Sequence, residues 1–344
     1  MIKYLSLLLF FIIAACAPEV IQDSQEHSET VPETQQDFEE TEEISSDVQE
    51  NIENSEKIRT LADGTKYLVH PDDILSGGPP KDGIPSIDNP KFVSVEEADE
   101  WIADNELVLA IEYEGEKRVY PLQIMVWHEI VNDEIADDPI LITYCPLCGT
   151  GIAYERTITG DAVEFGTSGK LYNSNLVMYD RKTDTYWSQI DGKAIVGELV
   201  GEELKELSID TVPWRDWKSE HPESIVLSQQ TGYIRDYGRD PYGSYYEDSN
   251  LFFPVNQRDD SIHPKDVIHG IKINGEYRAY REQDIEGTIT DEFQDLPLEI
   301  TKHDDGTVSV VRTDTNEEIV KERGFWFSWY AFHPSTSVYG LPRE

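Results

Sequence analysis

Two cysteines three residues apart, in Cys145-Pro146-Leu147-Cys148-Gly149, are the first place in this chain where side-chain types and spacing could do chemistry. Three chemistries fit them. A redox dithiol is one, but such pairs gain their acidity at a helix N-terminus. The residues that follow, Gly149-Thr-Gly-Ile-Ala-Tyr-Glu-Arg156, alternate like a strand instead. A metal knuckle is the second. A tight turn between two strands aims both sulfurs at one point, and Gly149 takes the positive φ that ends the turn. Two ligands of one ion then sit about 3.5–4 Å apart, each about 2.3 Å from it. The third is a pair of cysteines that are free or oxidised to each other in an oxidising compartment.

A knuckle supplies only two ligands, and the chain has no second Cys-x-x-Cys. His128, 17 residues upstream in Val126-Trp127-His128-Glu129, is the nearest nitrogen donor in sequence. Met178, in Leu176-Val-Met-Tyr-Asp180, offers a thioether, although a methionine among apolar residues commonly fills a core. The expected metal set is therefore His128, Cys145, Cys148 and Met178. Such a soft set favours copper over zinc. His263, His269 and His333 are alternative donors with a structural role as the default. No catalytic residues are assigned. Asp180-Arg181 and Asp236 read as ion-pair members, and neither a Ser-His-Asp order, a phosphate-binding glycine loop nor a zinc-protease motif is present.

The elements that must position these residues read mainly as strands. Val108 to Tyr120 is a hairpin turning at Glu114-Gly115. Leu122–Val131 reads as a helix, Ile140–Tyr144 as a buried strand, and Gly151–Phe165 as a second hairpin. Val95 to Asn105 reads as a helix capped by Ser94. Residues 211–227 contain a short helix between Pro213 and Pro222. Phe325-Trp-Phe-Ser-Trp329 alternates like a strand. Residues 228–266 read as polar and aromatic loop. Residues 108–120 (VLAIEYEGEKRVY) match 268–280 (IHGIKINGEYRAY), and residues 131–143 match 289–301 in the same order. This predicts a duplicated β-rich unit, with repeat 1 at about 107–195, a connecting segment at 196–266 and repeat 2 at about 267–340. The second copy has Lys302-His-Asp-Asp-Gly where the first has the cysteines, and Glu286 where the first has His128. The unit does not need these residues to fold. The expected class is mainly β (α+β), with a few short helices.

Charge and termini bound the rest. The 344 residues carry 69 acids against 28 bases, a net charge of −41, which excludes nucleic acid as a natural partner. Seven Trp, 18 Tyr and 11 Phe still supply a sizeable core, and three cysteines are too few for a disulfide scaffold. Residues 1–16 place Lys3 before an apolar run that ends Ala14-Ala15-Cys16. The run is too short to span a bilayer and resembles a lipoprotein signal, with Cys16 as the lipidated residue. Residues 17–56 hold 14 acids and no Lys or Arg, the composition of a disordered tether before a domain at 57–344. The expected location is extracytoplasmic, on a membrane through the Cys16 lipid.

Several stretches together resemble the DUF3179 family, a bacterial and archaeal domain of unknown function. They are Gly77-Gly-Pro-Pro-Lys-Asp-Gly-Ile-Pro85, His128-Glu-Ile-Val-Asn-Asp133, Thr143-Tyr-Cys-Pro-Leu-Cys-Gly-Thr150, Phe165-Gly-Thr-Ser-Gly169, Leu176-Val-Met-Tyr-Asp-Arg181 and Gly232-Tyr-Ile-Arg-Asp236. The resemblance covers about residues 60–340 and implies that His128, Cys145, Cys148 and Met178 are motif positions. It implies no reaction. The leading expectation is an envelope lipoprotein that binds a soft metal. A thiol–disulfide redox protein and a non-catalytic binding module using the aromatics at 214–217 and 325–329 are the alternatives.

Overall fold

The computed structural model describes residues 57–342, all within one compact unit that spans 49–344. The lipid-anchor and tether expectations therefore lie outside the described residues. Among the described residues no helix is long and apolar enough to cross a membrane. The described chain is mainly β with four short helices, as the alternating apolar pattern requires.

The chain opens with short strands β1 (Arg59–Thr60), β2 (Lys66–Tyr67), β3 (Leu75–Ser76) and β4 (Phe92–Ser94). Helix α1 (Val95–Ala98) follows, its start fixed by a capping box between Ser94 and Glu97. It is shorter than the 95–105 expected. After Ala98 the chain continues through turns, with Ile102 buried beside it.

The first copy is β5 (Leu107–Tyr113), β6 (Glu116–Pro121), α2 (Leu122–His128), β7 (Ile130–Ile135), β8 (Asp138–Cys145) and β9 (Thr150–Glu155). Helix α2 stops at His128 because Glu129 turns left-handed at φ 59°, and the next residue starts β7. After β9 come β10 (Thr157–Ile158), β11 (Asp161–Ala162), β12 (Phe165–Tyr172), β13 (Asn175–Asp180), β14 (Tyr186–Ser188), β15 (Ala194–Val196) and β16 (Lys205–Leu207). Strands β12 to β15 form one sheet with β1, β2 and β3. Then β17 (Asp210–Pro213), α3 (Trp214–Glu220) and β18 (Ile225–Leu227) return to the first copy: β17 pairs antiparallel with β5, and β18 pairs parallel with β6.

The second copy repeats this plan. It comprises β19 (Val267–Ile273), β20 (Glu276–Arg281), β21 (Thr288–Phe293), β22 (Leu296–Lys302), β23 (Val308–Arg312), β24 (Lys321–Phe325), α4 (Trp326–Phe332) and β25 (Ser337–Val338). Sheet order β24-β19-β20-β25 reproduces β17-β5-β6-β18, and β21-β22-β23 reproduces β7-β8-β9. The registers agree as well: Ala110 faces Val119 as Gly270 faces Ala279. Both first hairpins turn through a left-handed pair, Glu114-Gly115 and Asn274-Gly275, which suits the twist of the flanking strands.

The correspondence runs beyond the sequence match. Trp214-x-x-Trp217-x-x-x-His221-Pro222 recurs as Trp326-x-x-Trp329-x-x-x-His333-Pro334. Each helix packs both tryptophans into the core. Each lays its second tryptophan against the following histidine, with ring centroids 4.1 and 4.3 Å apart. Here the structure corrects the strand reading of Phe325–Trp329. Phe325 ends β24 and the segment from Trp326 on is α4, because tryptophans three residues apart share one face of a helix. These aromatics are buried and form no exposed binding surface.

Each copy also carries a matching, largely enclosed Arg–Tyr–Asp network. Arg118 and the Tyr120 hydroxyl both donate to Asp133, at 2.9 and 2.6 Å. Arg278 and Tyr280 do the same to Asp291, at 2.9 and 3.0 Å. The first network is the more enclosed, with Asp133 only 4% exposed at its side chain against 9% for Asp291. Asp133→Ala, which leaves Arg118 and Tyr120 without their partner, should cost roughly 3–5 kcal/mol in urea unfolding. Asp291→Ala should cost less. Equal losses would contradict the ranking by burial.

Candidate functional site

The cysteine turn is the place where the copies diverge. Strands β8 and β9 are closed by Pro146 to Gly149, with Cys145 paired to Thr150, whereas β22 and β23 are joined by a longer turn from His303 to Thr307. Cys148 N donates to Cys145 O at 3.1 Å, and Gly149 takes φ 62°. This is the strand–turn–strand knuckle read from the sequence. Glycine is required twice over at position 149, since a Cβ there would meet the Phe325 ring at 3.0 Å. Phe325 belongs to β24 of the second copy, and its N–H donates to Cys148 O at 2.8 Å. The Tyr245 hydroxyl, from the connecting segment, donates to Leu147 O at 2.9 Å. The turn is thus pinned from two sides as well as by its own hydrogen bond.

The sulfurs of Cys145 and Cys148 lie 3.0 Å apart, unbonded and buried. That is longer than a disulfide and shorter than the separation expected for two ligands of one ion. Residues from the long insertion after β9 close over them. Asn175 Nδ2 points at Cys148 Sγ at 3.5 Å, and Ser174 O lies 3.4 Å from the same sulfur and 4.0 Å from Cys145 Sγ. Asn175 is itself held. Its Nδ2 also donates to Gln189 Oε1 at 2.8 Å, and its Oδ1 accepts from Ile190 N. Gln189 in turn bonds Thr143 and Thr150 on the two strands that carry the turn. From the second copy, the fully buried Ser328 of α4 brings a hydroxyl that has no nitrogen or oxygen partner close to Cys148.

These groups split the two thiols. Burial pushes the Cys148 thiol up, but hydrogen bonding from Cys145, Ser328 and Asn175 more than reverses this, and its pKa ends below the ordinary value. Burial, together with the hydrogen bond to Cys148 and that neighbour's charge, drives Cys145 well above its own. Cys145 is thus the thiol that donates within the pair, and Cys148 is the sulfur that accepts and the more acidic of the two. The Glu129 carboxyl acts on both, and burial raises it to about 8 despite a hydrogen bond from Tyr242. Its left-handed backbone is locked by Tyr144 N, which donates to Glu129 O at 2.7 Å.

His128 is engaged elsewhere. Burial lowers it to about 4, so the ring is neutral at ordinary pH. Its Nδ1 must donate to Pro85 O at 2.7 Å, because a carbonyl only accepts. Nε2 then accepts from the Tyr237 hydroxyl at 2.6 Å, and Tyr237 in turn accepts from Thr231. The ring ties the loop before Ile87 to the connecting segment. A metal ligated through Nε2 would have to displace Tyr237, while the Nδ1–H bond to Pro85 O is one that a ligating histidine keeps. Met178 is fully buried in the same apolar core as the two cysteines, facing Thr167 and Trp187 across its sheet. Among the described residues no three His, Cys, Asp or Glu side chains converge as a metal-ligand set. His269 is buried against Glu282, and His333 is stacked on Tyr277. Asp180 accepts from Trp187 Nε1 and Thr183, and Arg181 pairs with Asp88 and Glu164.

Asn175, Gln189, Ser328 and Glu129 are the site residues that sequence reasoning did not select. The repeat held a signal for one of them: Ser328 stands at the place of Asp216 in the second Trp-x-x-Trp helix.

The fold and the site thus define a duplicated β protein with a buried dithiol in one copy. Comparison with known proteins gives the family. Residues 81–336 match DUF3179, described as a protein of unknown function, and the chain belongs to that family. No curated protein and no solved structure matches it.

Glu129 sets a pH dependence. Its folded pKa lies above its unfolded one, so the stability it contributes is complete below about pH 4 and lost as pH rises through about 8. Across that window stability should fall by at most about 1.4 kcal/mol per pH unit from this group. Glu129→Gln should flatten the decline and be the more stable protein at pH 8, measured by urea unfolding at pH 5, 6.5 and 8. Parallel curves for the two proteins would contradict a neutral Glu129.

Proposed function

We propose that this protein is an extracytoplasmic lipoprotein whose folded domain works through a redox dithiol, with Cys148 as thiolate and Cys145 as its proton-bearing partner. The observation that carries this reading is the 3.0 Å pair with its acidity split between the two sulfurs. A thiolate is the reactive form of cysteine, and here it faces its own resolving thiol. Oxidation needs the sulfurs to close by about 1 Å to the covalent length. One S–S bond forms, the Cys145 proton leaves, and two electrons pass to an acceptor. Both sulfurs are buried, which favours a small acceptor over a second protein's cysteine. The anchor rests on the Ala14-Ala15-Cys16 signal.

A second reading is a soft-metal site, copper before zinc, and Met178 is what favours it, because its thioether lies in the same buried core as both sulfurs. That reading requires Cys145 to give up a proton it holds strongly, and His128 Nε2 to leave Tyr237.

The full-length chain, equilibrated in reduced and oxidised dithiothreitol mixtures, should form a Cys145–Cys148 disulfide reversibly along a two-electron curve, read by mass spectrometry. Cys145→Ser should abolish it. Stoichiometric copper or zinc in natively purified protein, lost in Cys145→Ser and with no disulfide formed, would contradict the dithiol reading in favour of the metal. Cys16→Ala should release the chain from membranes, and a variant that stays bound would contradict the anchor.

A further inference from the structure

A cavity of about 440 Å³ lies between the two copies and against the cysteine turn. Tyr144 and Gly149, the residues immediately before Cys145 and after Cys148, form part of its wall. Leu122 and Val126 of α2 face it from the first copy, and Val267 and Phe325 from the second. Gly238, Asp240 and Tyr246 of the connecting segment also line it. His128 holds that segment in place through Tyr237.

The size suits a small organic molecule. The walls are apolar and aromatic, so the ligand is largely apolar and flat enough to lie against Phe325 and Tyr144. Its polar groups include an acceptor. The Tyr246 hydroxyl is buried in the wall beside Asp240, and it is a donor that a ligand acceptor in the cavity can take. The ligand must also be neutral. Arg323 is the one cation in the wall, and it already donates to Glu282 at 2.5 and 3.1 Å. Glu106 and Asp240 add negative charge beside it.

We propose that this cavity docks a neutral aromatic two-electron acceptor of the quinone class beside the cysteine turn. The inference rests on the dithiol reading above and names the acceptor it lacks. The step balances. The Cys145 S–H bond breaks, an S–S bond forms to the Cys148 thiolate, and two electrons pass to the quinone. One proton comes from Cys145 and one from the Glu129 carboxyl, so the products are a disulfide, a Glu129 carboxylate and a hydroquinone.

The test uses the full-length chain, reduced, with 2,3-dimethyl-1,4-naphthoquinone, whose blocked ring positions prevent thiol addition. Diamide serves as an acceptor that needs no binding site. The expected result is disulfide formation that saturates with quinone and yields one hydroquinone per disulfide. Tyr246→Phe should raise the half-saturating concentration roughly three- to tenfold, the worth of one hydrogen bond. Val267→Trp, which fills the cavity, should abolish saturation while the protein still unfolds cooperatively. Oxidation by diamide together with a quinone rate that never saturates, or that neither variant alters, would overturn the docking site and leave the dithiol reading standing. A pair that neither diamide nor quinone oxidises would overturn both.

Discussion

A thiol buried beyond the reach of water stays acidic only if hydrogen-bond donors replace the solvent it has lost, and the rest of this structure follows from meeting that demand at Cys148. Three donors do so. Cys145 comes from the far end of the same turn, Asn175 from the strand that closes over it, and Ser328 from a helix of the other copy. Each is fixed by its own surroundings. Gln189 orients Asn175 while tying it to Thr143 and Thr150, and Pro146 and Gly149 shape the turn that faces the two sulfurs. Without such donors burial would raise both thiols and leave an inert pair.

Duplication explains how one chain assembles the pieces. Each copy is a curled sheet with a hairpin layer and a Trp-x-x-Trp helix, and each holds itself together with an Arg–Tyr–Asp network. The first copy gained the short cysteine turn and the long insertion between β9 and β17. The second kept a longer turn and no comparable insertion, but it turned its β24 edge and α4 toward the first copy's cysteines. Gly324 shows how close the approach is, since a Cβ there would lie 2.4 Å from the Thr150 methyl. The second copy is therefore part of the site and more than a scaffold.

Local patterns were legible in the sequence where local physics decides them. The hairpins at Gly115 and Gly275 follow from turn residues between alternating strands, and the cysteine turn follows from Pro146 and Gly149. The helix at Trp326–Phe332 was hidden because its six aromatic and apolar residues satisfy a period of two as readily as a helical one. The earlier Trp214–Trp217 helix was the clue to it. Asn175, Gln189 and Ser328 were not legible. They reach Cys148 or the strands beside it across tens to well over a hundred residues, and nothing in a polar side chain's own neighbourhood reports a long-range partner. His128 shows the converse: its type suited a ligand, but only the fold reveals that Pro85 and Tyr237 already claim both nitrogens.

The most direct test of the split pair is the thiolate absorbance near 240 nm, followed from pH 4 to 10 in the reduced full-length chain and its two serine variants. The account predicts one thiol that ionises below the ordinary cysteine range, absent in Cys148→Ser and retained in Cys145→Ser, where the serine hydroxyl still donates. No thiolate below pH 9 in the parent chain, or one that survives Cys148→Ser, would contradict it.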